Sequence, residues 1–381
     1  MNREAIAVPT SDPREPSGTG SRIVLIGFLR GLCLIVMTVD HLPETIIKKF
    51  TLQGFGFFSA AECFVFLSGL VAGRVYGRIA ITKGSGVLRQ RALRRAVILY
   101  LANAVLMTLI ILAARGGVVT LEQGFDPDWS LWSKLMLFIA SPVNADILRM
   151  YCIFFLLLPI VFWALLSDRF HYLMVISGGL WLAAAQGYGM TALPAGTGYF
   201  DIMSWQLLFV VGVYLGFTPL SDLTRIGTST SWTGACLVVA VTFFAVRRWH
   251  FLTGQQWSPY FEWLFRWKRT LPLGSLVNFS AFSAVVYRFR RPLTTLVTTL
   301  PGKTIVFLGQ HSLQVFVWSV LATTLVSGAE GRWIAPSCEE HPLAATGLIV
   351  ASCFVPAWLH AQWQVLRHKV SDQRVAAPVA G

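Results

Sequence analysis

Residues 30–69 read RGLCLIVMTVDHLPETIIKKFTLQGFGFFSAAECFVFLSG, and this stretch decides the fold. Two apolar runs flank a short polar connection. The first ends in Asp40-His41 and the second opens with Ala60-Ala61-Glu62. Both runs have the length and the Leu/Val/Phe content of membrane helices, so the stretch is a membrane-embedded hairpin. Arg30 precedes His41 by eleven residues on one helix, which is about 16 Å at the helical rise and roughly half the hydrocarbon thickness. One helix therefore carries a cation near mid-depth and an imidazole near one surface. Ionisable groups inside lipid are expensive and mark function by default.

The composition around this hairpin agrees. The chain has 381 residues, 55% hydrophobic and 13% charged, with a mean hydropathy of +0.62. A soluble domain carries about 25% charged residues. The period-2 alternation of a membrane barrel is absent, so the fold class is all-α, a polytopic integral membrane protein. The formal charge of +13 does not indicate nucleic acid, because the cations gather in short segments between apolar runs. That is a topogenic pattern. The six cysteines show no metal spacing and most fall in apolar runs, so neither a metal site nor a disulfide framework is expected.

Working outward, about ten membrane helices are predicted, at 23–42, 56–76, 94–114, 146–166, 171–187, 204–218, 232–247, 270–287, 303–327 and 344–362. Residues 131–143 read as a shorter interfacial helix. Residues 1–21 form a disordered cytoplasmic tail, 22–366 a single membrane domain and 367–381 a second cytoplasmic tail. Arg74, Arg78, Lys83, Arg89, Arg91, Arg94 and Arg95 are the densest basic cluster, which places the second connection in the cytoplasm. Arg288, Arg290, Arg291 and Lys303 fall on that side too, as do Arg367, Lys369 and Arg374. Glu122, Asp126, Asp128, Glu330, Glu339 and Glu340 fall on the other. Both termini are then cytoplasmic. One segment breaks the rule: 247–269, RRWHFLTGQQWSPYFEWLFRWKR, is basic although it lies outside. It is either an interfacial helix with an aromatic belt or a platform where Trp rings stack on sugars and cations hold an anion.

On this topology Asp40, His41 and Glu62 lie near the outer face. A carboxylate beside an imidazole fixes its tautomer and raises its basicity, as a general base needs. The same residues also suit helix ends facing headgroups. Arg30 requires a partner or a hydrated cavity. Gln310-His311 forms a second intramembrane polar pair, near Arg30 in depth, and Arg91, Arg94 and Arg95 stand at the cytoplasmic mouth. Asp146 and Arg149 lie three residues apart on one helix face. With Trp205, Gln206, Lys268 and Arg269 they complete the polar groups of the outer side. No phosphate loop, HExxH or GxSxG motif is present.

The Arg30-x10-His41 spacing resembles the signature of the membrane acyltransferase-3 superfamily. RGLCLIVMTVDHLP followed by FGFFSAAECFVFLSG resembles more closely its OpgC branch, succinyltransferases of osmoregulated periplasmic glucans. DILRMYCIFFLLLP (146–159), SWQLLFVVGVYLG (204–216) and FLGQHSLQVF (307–316) support it. Arg149 and the Asp201-Ile202 pair depart from the family pattern. The resemblance implies an enzyme of the bacterial inner membrane that transfers an acyl group from cytoplasmic acyl-CoA, typically succinyl-CoA, to a hydroxyl of a periplasmic glucan. No permanently bound cofactor is implied. His41 would be the base or transient acyl carrier, with Asp40 or Glu62 orienting it. Arg30, His311, Gln310, Arg91 and Arg94 would serve the donor. Arg149, Asp146, Trp205, Gln206, Lys268, Arg269, Trp263 and Trp267 would serve the acceptor. Read from the residues alone, a transporter or flippase for an anionic or glycan substrate ranks beside an enzyme.

Overall fold

A computed structural model describes residues 18–42, 46–119, 121, 126–139, 146–189, 200–218, 229–254, 256–265, 268–327 and 341–376. Trp267, Cys338 and the acidic Glu122, Glu330, Glu339 and Glu340 lie outside the described residues. Within them the chain forms helices and no strand. Fourteen helices organise the description: α1 (Gly18–Asp40), α2 (Ala60–Arg115), α3 (Trp129–Met136), α4 (Asp146–Leu166), α5 (Phe170–Ala183), α6 (Ile202–Phe217), α7 (Thr230–Thr253), α8 (Pro259–Phe265), α9 (Leu273–Arg288), α10 (Arg290–Thr298), α11 (Leu300–Gln310), α12 (Ser312–Ser327), α13 (Pro342–Ser352) and α14 (Phe354–Ala376). Among the described residues four helices are long and apolar enough to cross a membrane, or six if each bent pair is one span.

The largest departure from the sequence reading is α2. The spans expected at 56–76 and 94–114 form one helical element of 56 residues, and the basic connection between them is helical. Its start is fixed locally: Ser59 and Glu62 form a reciprocal capping box, which satisfies two orphan donors of the first turn. Its middle is broken at Gly84, where φ is +83°. A side chain there would meet nothing within 4 Å, so the constraint is the backbone angle alone. The Tyr76 hydroxyl nevertheless donates to the Arg91 carbonyl at 3.5 Å. Fifteen residues of straight helix would separate the two by about 22 Å. The chain therefore turns back at Gly84, and the two limbs run alongside each other.

Three further expectations change in detail. The helix expected over 303–327 is broken between α11 and α12, with a bend of 88°. The helix expected over 344–362 is divided at Cys353 into α13 and α14. The connection after 288 contains α10, an amphipathic helix of 9 residues.

Lipid offers little hydrophobic drive for helix association, so close backbone packing matters more. Gly69 and Gly73 on α2 face Gly212 and Gly216 on α6. A Cβ at Gly73 would lie 2.1 Å from the Val213 carbonyl oxygen, and one at Gly216 2.1 Å from that of Leu70. The same device joins α1 to α11: a Cβ at Gly309 would lie 1.8 Å from the Gly27 carbonyl oxygen. This second contact brings the α11–α12 break against Arg30.

Candidate active site

Arg30 lies halfway along α1. Its Nη2 donates to Ser312 Oγ at 2.6 Å, at the first residue of α12. Its guanidinium stands 5.5 Å from the centroid of the Phe64 ring. Its Nε is buried and makes no hydrogen bond. No carboxylate pairs with Arg30 among the described residues. The guanidinium lines a cavity of about 180 Å³ bounded by α1, both limbs of α2, α4 and α12. The other polar groups in its wall are Ser68, Tyr76, Arg95, Tyr151 and Ser312. Tyr151 donates to Ser68 Oγ at 3.1 Å. Phe64 stacks on Phe316 and meets Tyr151 edge-on, closing the apolar side.

The bend before α12 carries a second polar group. His311 is the residue at the break, and its Nδ1 lies 2.8 Å from Nδ1 of His360 on α14. At that distance one nitrogen donates and the other accepts, so the pair holds one shared proton. His360 stacks on Trp363, 5.8 Å between centroids. Gln310, the neighbour of His311, is exposed. Arg91 and Arg94 are exposed on the second limb of α2, while Arg95 turns inward to the cavity.

His41 follows the end of α1. From Arg30, the residues at steps of four, three and four are Leu34, Met37 and His41, which form one stripe of the helix. Leu34 and Met37 are 1% and 4% exposed and fill the interval, so His41 does not line the Arg30 cavity. The His41 backbone N–H donates to the Met37 carbonyl at 3.2 Å, which continues the helical pattern one residue past α1. Asp40 accepts from Gln53 Nε2 at 3.0 Å. Lys268 acts electrostatically on both Asp40 and His41. The His41 carbonyl accepts from Ser327 at 3.0 Å, which ties this end of α1 to the end of α12.

Glu62 does not join them. Its Oε1 accepts from Ser275 at 2.8 Å, while Oε2 accepts from the Ser59 backbone N–H at 2.9 Å and is in contact with the Ser59 hydroxyl. Both oxygens are taken by the capping box and by α9, so this carboxylate fixes a helix start and does not orient the imidazole.

The expected acceptor residues divide. Asp146 accepts from the Phe200 N–H at 2.7 Å, and Arg149 donates to the Phe138 carbonyl at 3.3 Å. Asp201 caps α6 and its N–H donates to the Arg269 carbonyl at 2.9 Å. Trp205 is fully buried, and its indole N–H donates to the carbonyls of Lys268 and Arg269 at 3.2 Å each. Trp205 therefore holds the turn at Lys268 and Arg269. Gln206 is bonded to Ser177 on α5, away from that turn. Trp263 is 37% exposed, with its indole N–H on the Ala185 carbonyl at 3.3 Å. Trp267 lies outside the described residues.

Among the described residues no group of three or more His, Cys, Asp or Glu could hold a metal ion. Sequence reasoning passed over His360, Ser312, Tyr151, Ser68 and Gln53. His360 carried a signal, a histidine within a predicted span; the others are ordinary residue types that only packing selects.

A helical membrane protein with a buried cationic cavity midway along one helix, and an imidazole at that helix's end, is the class that fold and site define. A family model described as OpgC protein matches residues 22–365. The chain belongs to that family. No curated protein and no solved structure matches it.

Proposed function

We propose that the protein is a transmembrane O-acyltransferase that moves an acyl group, succinyl, from cytoplasmic acyl-CoA to a hydroxyl of a periplasmic glucan. Family membership supports acyl transfer onto glucans and lends nothing to a transporter. The observation that carries the reading is Arg30: a half-buried guanidinium whose Nε is buried, with one hydroxyl partner and no carboxylate among the described residues, on the stripe of α1 that ends in His41. A cation in that position awaits an anion from outside the protein.

In this reading the chain crosses the bacterial inner membrane ten times, each limb of α2 counting once, with both termini in the cytoplasm. The Gly84 turn, Arg91, Arg94 and Arg95 form the cytoplasmic mouth. His41, Asp40 and Lys268 lie at the periplasmic end. The donor is too highly charged to cross lipid, so it threads inward past Arg95, and Arg30 with His311 holds the part that follows the thioester. Its arm displaces Leu34 and Met37 to bring the thioester carbonyl to His41. The neutral imidazole takes the proton of the sugar hydroxyl as that oxygen attacks the carbonyl. The C–O bond forms, the C–S bond breaks, and the imidazolium returns its proton to the leaving thiolate. Asp40 stabilises the imidazolium, and Lys268 faces the oxyanion.

Replacing His41 with Ala is expected to abolish glucan acylation in cells, read by mass spectrometry of periplasmic glucans, with the variant still inserted. Full acylation in that variant refutes the mechanism.

A further inference from the structure

A second pocket, of about 320 Å³, lies where the last turns of α7 meet the start of α8, lined by Ala245, Val246, Trp249, His250, Gln256 and Trp257. It falls in the basic, Trp-rich segment that the topology leaves unexplained. We propose that this pocket is a glucan subsite, which stacks a non-reacting pyranose ring of the acceptor on Trp249. The proposal rests on the reading of the protein as a glucan acyltransferase and extends it to a site remote from the chemistry.

Three observations carry it. First, the pocket is wired to the catalytic end. Gln53 donates to Asp40, Arg247 Nε donates to the Gln53 carbonyl at 3.0 Å, and the Arg247 guanidinium lies over Phe57. Phe57 in turn meets Trp257 edge-on. Second, the Trp257 indole N–H is buried without a hydrogen-bond partner among the described residues. Buried indole N–H groups normally find an acceptor, and a sugar hydroxyl supplies one. Third, the ring surfaces are unequally used. Trp257 is sandwiched between His250 and Phe261, whereas Trp249 is 64% exposed. The neighbouring cations are engaged elsewhere, Arg247 over Phe57 and Arg248 over Phe55 and Phe244. An aromatic wall with amide and imidazole edges and no charged side chain suits a neutral sugar ring better than a phosphate.

The test uses the full chain in lipid nanodiscs, with Trp249→Leu and Trp257→Phe. Leucine keeps the apolar area an interfacial anchor needs and removes the stacking face. Phenylalanine keeps the aromatic stack and removes the donor. Equilibrium binding of a long linear glucan, read by tryptophan fluorescence, is expected to weaken roughly tenfold in each variant, the loss of one ring contact or one hydrogen bond. Turnover from succinyl-CoA onto methyl glucoside, which is too short to reach the pocket, is expected to stay within about twofold in the same variants. Unchanged glucan affinity in both variants overturns the subsite, and means that the segment is membrane anchorage only. An equal loss of turnover on long and short acceptors overturns it as well. Failure of the unmodified protein to acylate either acceptor refutes the acyltransferase reading instead, while the binding comparison still decides the pocket.

Discussion

Replacing Arg30 with Met separates binding from stability. In the structure the guanidinium has one hydrogen bond, to Ser312, and a buried Nε with none. An unpaired buried charge costs several kcal/mol even after relaxation, so a flexible apolar side chain of similar length relieves that cost. Against it stands the lost hydrogen bond, about 1.5–3 kcal/mol for a charged donor. Ser312 can turn its hydroxyl to a backbone carbonyl of the preceding turn. The variant is therefore expected to be as stable as the parent protein, or more so, when no ligand is present. The donor is expected to behave oppositely. Losing its charge-assisted bonds removes about 1.5–3 kcal/mol, or roughly 10–150-fold in affinity. At a donor concentration 100 times the parent Kd, the ligand stabilises by about 2.7 kcal/mol; a 100-fold weaker Kd leaves about 0.4 kcal/mol. Thermal unfolding in detergent, with and without succinyl-CoA, reads both quantities. A ligand-free protein that melts earlier, together with an unchanged donor-induced shift, would make Arg30 a structural residue and refute the argument.

Two further outcomes are expected. Glu62→Gln should lower stability by about 1–2 kcal/mol through the damaged capping box and the Ser275 contact, while kcat stays within severalfold; a kcat collapse at unchanged melting temperature would return Glu62 to the catalytic group. His311→Gln should raise the KM for the acyl donor and leave kcat nearly intact. Complete loss of turnover in a stably inserted His311→Gln protein would instead make the His311–His360 pair the base.

The placement of Arg30 and His41 was legible because both depend on a single helix, whose rise fixes their separation whatever surrounds it. The limits of α4 were equally legible, since Asp146 and Leu166 bound a run that is apolar but for Arg149. Glu62 carries a second, local signal: its position three residues after Ser59 is the signature of a capping box, and the structure uses the carboxylate there. The glycines that join α2 to α6 recur every four residues and were visible too, but a four-residue spacing names no partner.

By itself, the sequence determined the helical membrane class and the separation of Arg30 and His41 along one helix, because helical rise and apolar length are properties of contiguous residues. Only the tertiary structure decided that Arg30 meets Ser312 across 282 positions of chain, that His311 finds His360, and that Leu34 and Met37 stand between the cavity and His41. Those outcomes depend on how close two backbones can approach and on which way a broken helix bends, and neither distance is written in any local stretch of residues.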